Sequence, residues 1–262
     1  MTLLTKIFPR PTPLQKAAVI AAVTAITLGG CATPGATLVD EDPYEGFNRD
    51  VFAFNTGVDQ AILKPVSEAW DAVAPEPVEK GVSNFTANLG EPSTFVNDVL
   101  QGEPERAMNT ALRFLINSTL GLAGFIDIAG MEGIERHSED FGQTLAVWGF
   151  DGGPFIVAPI LGPTTPRDLA GFGIGQLLDP VDAVEFDGDD TFRTSTAIVG
   201  GINARAQIAP QLDALATQAD PYTAVKRIWA RNRNTEIANG RGAPEEPENL
   251  PDFDTMFGLD SE

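Results

Sequence analysis

Two side chains stand out for chemistry because each is the sole example of its type: one cysteine, Cys31, and one histidine, His137. A thiolate is a nucleophile that can be acylated, and an imidazole can take up a proton near neutral pH. Their surroundings differ. Cys31 closes an apolar run in Leu28-Gly29-Gly30-Cys31, whereas His137 sits in the polar run Glu135-Arg136-His137-Ser138-Glu139-Asp140. Charged neighbours read His137 as a solvated loop residue, not a general base. Nothing matches G-x-S-x-G, H-E-x-x-H, a Walker loop or paired cysteine ligands, so the sequence carries no recognisable hydrolase, metal or nucleotide signature. Gly171-Phe172-Gly173-Ile174-Gly175 lacks the ending and the preceding strand of a dinucleotide fingerprint. It reads better as a helix with Gly171 and Gly175 on one face, where a second backbone can come close.

The segment ahead of Cys31 explains the thiol. Lys6, Arg10 and Lys16 occur there with no acidic residue, followed by the uncharged, mostly apolar stretch Ala17 to Leu28. That stretch is too short to cross about 30 Å of hydrocarbon as a helix and ends in small residues, so residues 1–30 read as a signal peptide. A small residue before Cys resembles the lipobox of bacterial lipoproteins, in which the Cys is acylated and becomes the N-terminus. Three acyl chains on Cys31 exceed the two signals that stable anchoring needs. Ala32 stands where Asp would signal inner-membrane retention, which points to the outer membrane. Residues 31–41 are then a lipidated tether.

The formal net charge is −20, and the leader removes three basic residues and no acidic ones. Nucleic acid is excluded as a partner, since phosphate binding needs clustered Lys and Arg. With no internal repeat or break in composition, residues 42–240 read as one domain. After Arg241 come seven acidic residues, three prolines and no Lys or Arg. That composition cannot bury enough apolar surface to order itself, so 241–262 reads as a disordered acidic tail.

Asp42-Pro43-Tyr44-Glu45 has the form of a capping box, and the helix it would start places Phe47, Val51, Phe54, Val58 and Ile62 on one stripe, read as core-facing. Acidic-Pro starts recur at Glu91-Pro92, Glu103-Pro104, Asp179-Pro180 and Asp220-Pro221. Helices are expected at 79–89, 92–101, 104–120, 166–178, 191–217 and 221–238. Strand-like alternation is nearly absent, so the fold class is all-α. Lys226, Arg227, Arg231 and Arg233 on the last helix read as a solvated basic face, and Arg167-Asp168 as a pair at a helix start.

Two uncharged segments remain. Phe114 to Ile126 is too short to span a bilayer, and Phe141 to Pro166 carries one charge, Asp151, and is broken by glycines and prolines. The second reads as a helix, a turn and an apolar arm, Phe155 to Leu161. Such segments either form a core or sink into one leaflet. Irregular backbone at membrane depth is tolerated where it is buried in protein or lines a cavity, so the second case implies a cavity.

The residues then resemble a known family. Asp42-Pro43-Tyr44-Glu45-Gly46-Phe47-Asn48-Arg49, Ser83-Asn84-Phe85-Thr86-Ala87-Asn88-Leu89, Gln101-Gly102-Glu103-Pro104 and Gly124-Phe125-Ile126-Asp127-Ile128-Ala129-Gly130-Met131 look like the MlaA/VacJ family of outer-membrane lipoproteins. The match continues through Phe141-Gly142-Gln143-Thr144-Leu145, Gly152-Gly153-Pro154-Phe155, Pro166-Arg167-Asp168 and Asp220-Pro221-Tyr222. It implies a single irregular, ring-like helical domain with an apolar hairpin and no substantial sheet, lipid-anchored in the periplasmic leaflet of the outer membrane. It also implies an amphipathic channel for phospholipid, a trimeric porin and a soluble periplasmic lipid-binding protein as partners, no cofactor and no covalent chemistry. On that reading Phe150, Phe155, Ile156, Ile160 and Leu161 are candidates for the channel wall, and Gly152 and Gly153 for a hinge. A structural scaffold or a lipoprotein phospholipase are the rival readings.

Overall fold

The computed structural model describes residues 42–239 except 182, 183 and 185. The signal peptide, Cys31, the tether and the acidic tail lie outside the described residues.

The chain runs through α1 (Glu45–Val58), a π-helical turn (Asp59–Leu63), α2 (Lys64–Val73), α3 (Glu76–Gln101), α4 (Pro104–Thr119) and the single turn α5 (Ile128–Met131). It continues through α6 (Phe141–Val147), a hairpin of β1 (Ile156–Ala158) and β2 (Gly162–Thr164), α7 (Pro166–Leu178), α8 (Asp189–Gln207), α9 (Ala209–Ala216) and α10 (Pro221–Asn239). Side-chain caps set several of these starts, each oxygen accepting an N–H that the first helical turn leaves without a partner. Asp140 accepts from the Gln143 N–H at 2.8 Å for α6, and Thr165 from the Asp168 N–H at 3.2 Å for α7. The all-α expectation holds, with one two-stranded sheet among the described residues.

Packing contacts link these elements in a closed circuit. The π turn joins α1 to α2; α2 packs on α8, α8 on α3, α3 on α6, α6 on α10 and α10 on β2, and β1 returns to α1.

Several boundaries differ from the sequence reading. The segments 79–89 and 92–101 form one helix, with Pro92 inside it. Pro92 removes one backbone donor, but α3 packs along α4, and tertiary contact overrides the local penalty. The segment 191–217 is two helices, parted at Ile208 ahead of Pro210. Among the described residues no helix starts at Pro180. α2 and the π turn were not anticipated. The capping box does not form: Tyr44 is the cap residue of α1 and makes no side-chain cap bond.

The largest departure is in which faces turn inward. Asn48 is the one buried residue of α1, while Phe47 and Phe54 are 60% and 55% exposed. The stripe assigned to a core thus points outward at Phe47, Phe54 and Ile62. The same inversion recurs along α4, which buries Ala107, Thr110, Arg113 and Asn117 and exposes Met108, Leu112 and Leu115. α3 likewise buries Asn88, Glu91, Thr94, Asn97 and Asp98 and exposes Phe95, Val99 and Leu100. Ion pairs and amides hold this interior: Arg113 donates to Glu91 at 3.0 Å and to Asp127 at 2.9 Å, and Asn117 donates to Asp127 at 2.9 Å. Each large apolar side chain left in water forgoes roughly 1.5–3 kcal/mol of transfer free energy, so an exterior of this kind calls for an apolar surround. Among the described residues no helix is long and apolar enough to cross a membrane.

Candidate functional site

The hairpin is short, with the register Ile156 opposite Thr164, Val157 opposite Pro163 and Ala158 opposite Gly162. An isolated two-stranded hairpin is marginal in water, so something else must hold it. α1 does so with two asparagines. Asn48 donates to the Phe155 carbonyl at 3.2 Å and accepts the Val157 N–H at 2.8 Å. Asn55 repeats the pattern, donating to the Ala158 carbonyl at 3.0 Å and accepting the Ile160 N–H at 2.8 Å. Each amide satisfies a carbonyl and an N–H two residues apart, as a residue of a neighbouring parallel strand would. The spacing works because seven helical residues rise about 10.5 Å and three strand residues about 10 Å. The repeated Phe-Asn pair of Phe47-Asn48 and Phe54-Asn55 thus puts an aromatic outward and an amide on the hairpin at each step. That repeat is the sequence signal for this clamp.

The five wall candidates fall in different places. Phe155 is enclosed, packing with Val157, Tyr222 and Trp229. Ile156 is half-buried. Phe150, Ile160 and Leu161 are exposed, Ile160 the most at 77%. Ile160 also holds a positive φ of 68°, unusual for a β-branched residue, and the Asn55 bond to its N–H fixes it there. Of the hinge candidates Gly153 has φ +72° and Gly152 does not have a positive φ. Gly152 is buried, and its carbonyl accepts the Arg167 N–H at 3.3 Å.

A polar frame ties the hairpin to both ends of the described chain. Asp42 accepts from Asn48 at 2.8 Å, from Lys226 at 3.3 Å and from the Tyr222 hydroxyl. Burial alone would raise the Asp42 carboxyl, but these donors outweigh it and hold it below the ordinary aspartate value. Burial and the facing carboxylate push the Tyr222 phenol well up. Arg49 bonds Asp220 at 2.8 and 3.0 Å and lies 4.4 Å over the Tyr222 ring. On α10, Arg233 engages Asp140, Asp168 and Glu236, while Arg167 pairs with Asp168 at 2.9 Å. The expected solvated basic face is therefore half wrong: Lys226 and Arg233 are buried and paired, since the acidic frame needs cations inside the fold. The Arg167-Asp168 pair forms as expected.

His137 is likewise not a solvated loop residue. Its Nε2 lies 2.9 Å from Asp98 Oδ1 and 3.4 Å from Thr110 Oγ1, against buried Asp98 and Glu139. Asp98, His137 and Glu139 bring ligand-type atoms within 4.8 Å of one another. The donors are already supplied: Thr110 gives its hydroxyl proton to Asp98 at 2.7 Å, Gln101 donates to Glu139 at 2.9 Å, and Arg106 pairs with Glu139 in the place a cation would take. Desolvation raises the Glu139 carboxyl despite those partners. A nucleophile–base–acid relay needs the two ring nitrogens of the histidine to face different partners. Here one nitrogen meets both Asp98 and Thr110, and the Thr110 hydroxyl is buried.

The body is thus an all-α protein whose helices α1, α3 and α4 turn apolar side chains outward and polar groups inward, around one short hairpin seated on a small apolar core. The chain matches the MlaA lipoprotein family over residues 40–236 and belongs to that family. A Shigella flexneri relative, "Intermembrane phospholipid transport system lipoprotein MlaA", is 35% identical over 256 residues, covering 92% of this chain and 98% of the relative. The Haemophilus influenzae protein of the same name is 34% identical over 252 residues, covering 90% and 96%. A solved structure described as the "Structural basis for maintenance of bacterial outer membrane lipid asymmetry" superposes with a TM-score of 0.66 at 36% identity, covering 75% of this chain and 99% of that one.

Proposed function

We propose that this chain is the outer-membrane lipoprotein of an intermembrane phospholipid transport system and maintains outer-membrane lipid asymmetry. Anchored through acyl chains on Cys31 in the periplasmic leaflet, it takes mislocalised phospholipid from the outer leaflet along an amphipathic path beside the hairpin. A trimeric porin holds it in place, and a soluble periplasmic carrier receives the lipid. The observation that carries this reading is the inversion of the fold. Described helices of which none is both long and apolar enough to span, with Phe47, Phe54, Leu112 and Leu115 outward and ion pairs inward, suit a body sunk part-way into a bilayer and leave polar surface for a headgroup. The chemistry is carriage, not hydrolysis, because His137 serves the Asp98 network.

The test is complementation of a strain lacking its own family member. Outer-leaflet phosphatidylethanolamine, labelled by a membrane-impermeant amine reagent, should fall to the parental level with this chain and not with Cys31→Ala. Labelling that stays high with the wild-type chain correctly lipidated rejects the reading.

A further inference from the structure

A cleft of about 330 Å3 opens between α7, α10 and the β2 end of the hairpin. Pro163, Phe172 and Trp229 give it an apolar lining, and Asp140, Asp168, Arg233 and Glu236 a charged one. An arginine in an amphipathic cleft usually marks a phosphate or carboxylate site. Here its donors are spent. Arg233 Nε donates to Asp168 at 3.1 Å, Nη1 to Asp140 at 2.8 Å and Glu236 at 2.9 Å, and Nη2 to Asp140 and Asp168 at 2.9 Å each. A guanidinium has five N–H groups, and all five are directed at carboxylates. Each carboxylate offers about four lone-pair positions; Asp140 and Asp168 fill theirs with four donors each, whereas Glu236 accepts a single bond, from Arg233, and keeps the spare acceptors. The Asp140 and Glu236 side chains are about half exposed, at 53% and 48%. The charge count agrees: Asp140, Asp168 and Glu236 outnumber Arg233 and the Arg167 that pairs with Asp168. The cleft therefore favours a cationic donor over an anion, and its aromatic side suits an ammonium.

We propose that this cleft receives the ammonium end of a phosphatidylethanolamine headgroup, with Glu236 accepting from the amine beside Trp229 and Phe172. The inference rests on the lipid-transport reading and assigns the headgroup half of the same path. Continuity with the hairpin selects a lipid as the source of the amine. Pro163 and Thr164 line the cleft, and Ile160 and Leu161 project from the same hairpin, where acyl chains would run.

The experiment is calorimetry on the full chain in detergent with two soluble probes, dihexanoyl phosphatidylethanolamine and dihexanoyl phosphatidylglycerol. The ethanolamine lipid should bind about tenfold more tightly, the size expected of one ion pair together with one aromatic contact. Glu236→Lys should abolish that preference in a chain that stays folded, its melting temperature lowered by the loss of the 2.9 Å bond from Arg233. Glu236→Gln, which keeps the side-chain shape and serves if lysine disturbs α10, should reduce it at least about threefold. Equal binding of the two lipids by the wild-type chain overturns the proposal, as does a preference that survives both variants. Phospholipid that still co-purifies with a chain lacking any preference leaves transport standing and removes the cleft. No co-purifying phospholipid and no binding of either probe removes both.

Discussion

Asn48 accepts the Val157 N–H at 2.8 Å across 109 residues of chain, and the same side chain donates to the carbonyl of Phe155. One buried amide thereby satisfies two backbone groups of a strand that has no strand on that side. Asn48→Ala leaves both without a partner, at roughly 1–3 kcal/mol each. Urea denaturation should show a loss of about 2–6 kcal/mol, and exchange of the Val157 amide should accelerate. Asn55 is less enclosed, so water can replace it, and Asn55→Ala should cost about 1 kcal/mol or less while freeing the hairpin tip. A smaller loss for Asn48→Ala than for Asn55→Ala contradicts the clamp.

Gly171 marks where α7 meets α6. A Cβ there would lie 2.2 Å from the Gly142 nitrogen, a backbone atom that cannot swing aside. At Gly175, on the same face, the nearest atom is the Phe141 ring at 3.7 Å, an ordinary contact. Gly171→Ala should therefore cost about 3 kcal/mol or more and Gly175→Ala under 1 kcal/mol. Thermal melts of the two variants decide it, and equal melting temperatures would mean that the helices are not in backbone contact.

Much of this was legible beforehand. Apolar periodicity located α4, α7 and α10 to within a residue, because period and proline starts are local signals. The direction of the apolar face was not legible for the same reason. A stripe such as Phe47, Val51, Phe54 repeats every 3.6 residues whether it meets a core or a bilayer. What distinguishes the two is the opposite face, and Asn48, Thr110, Arg113 and Asn117 look like ordinary solvated positions until Phe155, Asp127 and Glu91 are brought to them from elsewhere in the chain. The pairing of Lys226 with Asp42 and of Arg233 with Asp140 was hidden likewise, by separations of 184 and 93 residues.

Asp140 gives a pH dependence of defined sign. Burial alone would raise its carboxyl, but the Arg233 guanidinium and the Gln143 N–H outweigh that and hold it below the ordinary value of 3.8. A carboxyl depressed in the folded state contributes stability that is complete above its unfolded pKa and is lost as pH falls through the folded one. Asp140→Asn should be less stable than wild type by about 1–2 kcal/mol at pH 7, allowing for the solvent reached by the half-exposed side chain. The difference should close as pH falls below 3.8. A gap that persists unchanged at low pH would mean that the loss comes from packing instead of charge.

The glycine turn offers a test of motion. Gly153 needs a left-handed φ of 72°, whereas a Cβ at Gly152 would make ordinary contact with Thr165 at 3.5 Å. Alanine at both should cost about 1 kcal/mol of stability, nearly all from Gly153. If the turn hinges the hairpin during transport, lipid transfer to an acceptor vesicle should fall well beyond what that destabilisation explains. Wild-type transfer by a destabilised double variant would leave the turn a structural element.

The hairpin tip decides where lipid runs. Ile160 is exposed and packs into no core, so Ile160→Asp removes little from the folded state and places a charge where an acyl chain would pass. Ile156 is half-buried beside Phe155 and Val157, so Ile156→Asp should lower stability by about 2 kcal/mol as well as block passage. Phe155, enclosed by Tyr222 and Trp229, can act on the path only by holding the hairpin, and Phe155→Ala should show its defect as unfolding, at about 3–5 kcal/mol. Ile160→Asp is the discriminating variant, because its fold should be intact and its transport absent. An Ile160→Asp protein that melts as the wild type and still clears phospholipid from the outer leaflet would put the path on another face of the helical body.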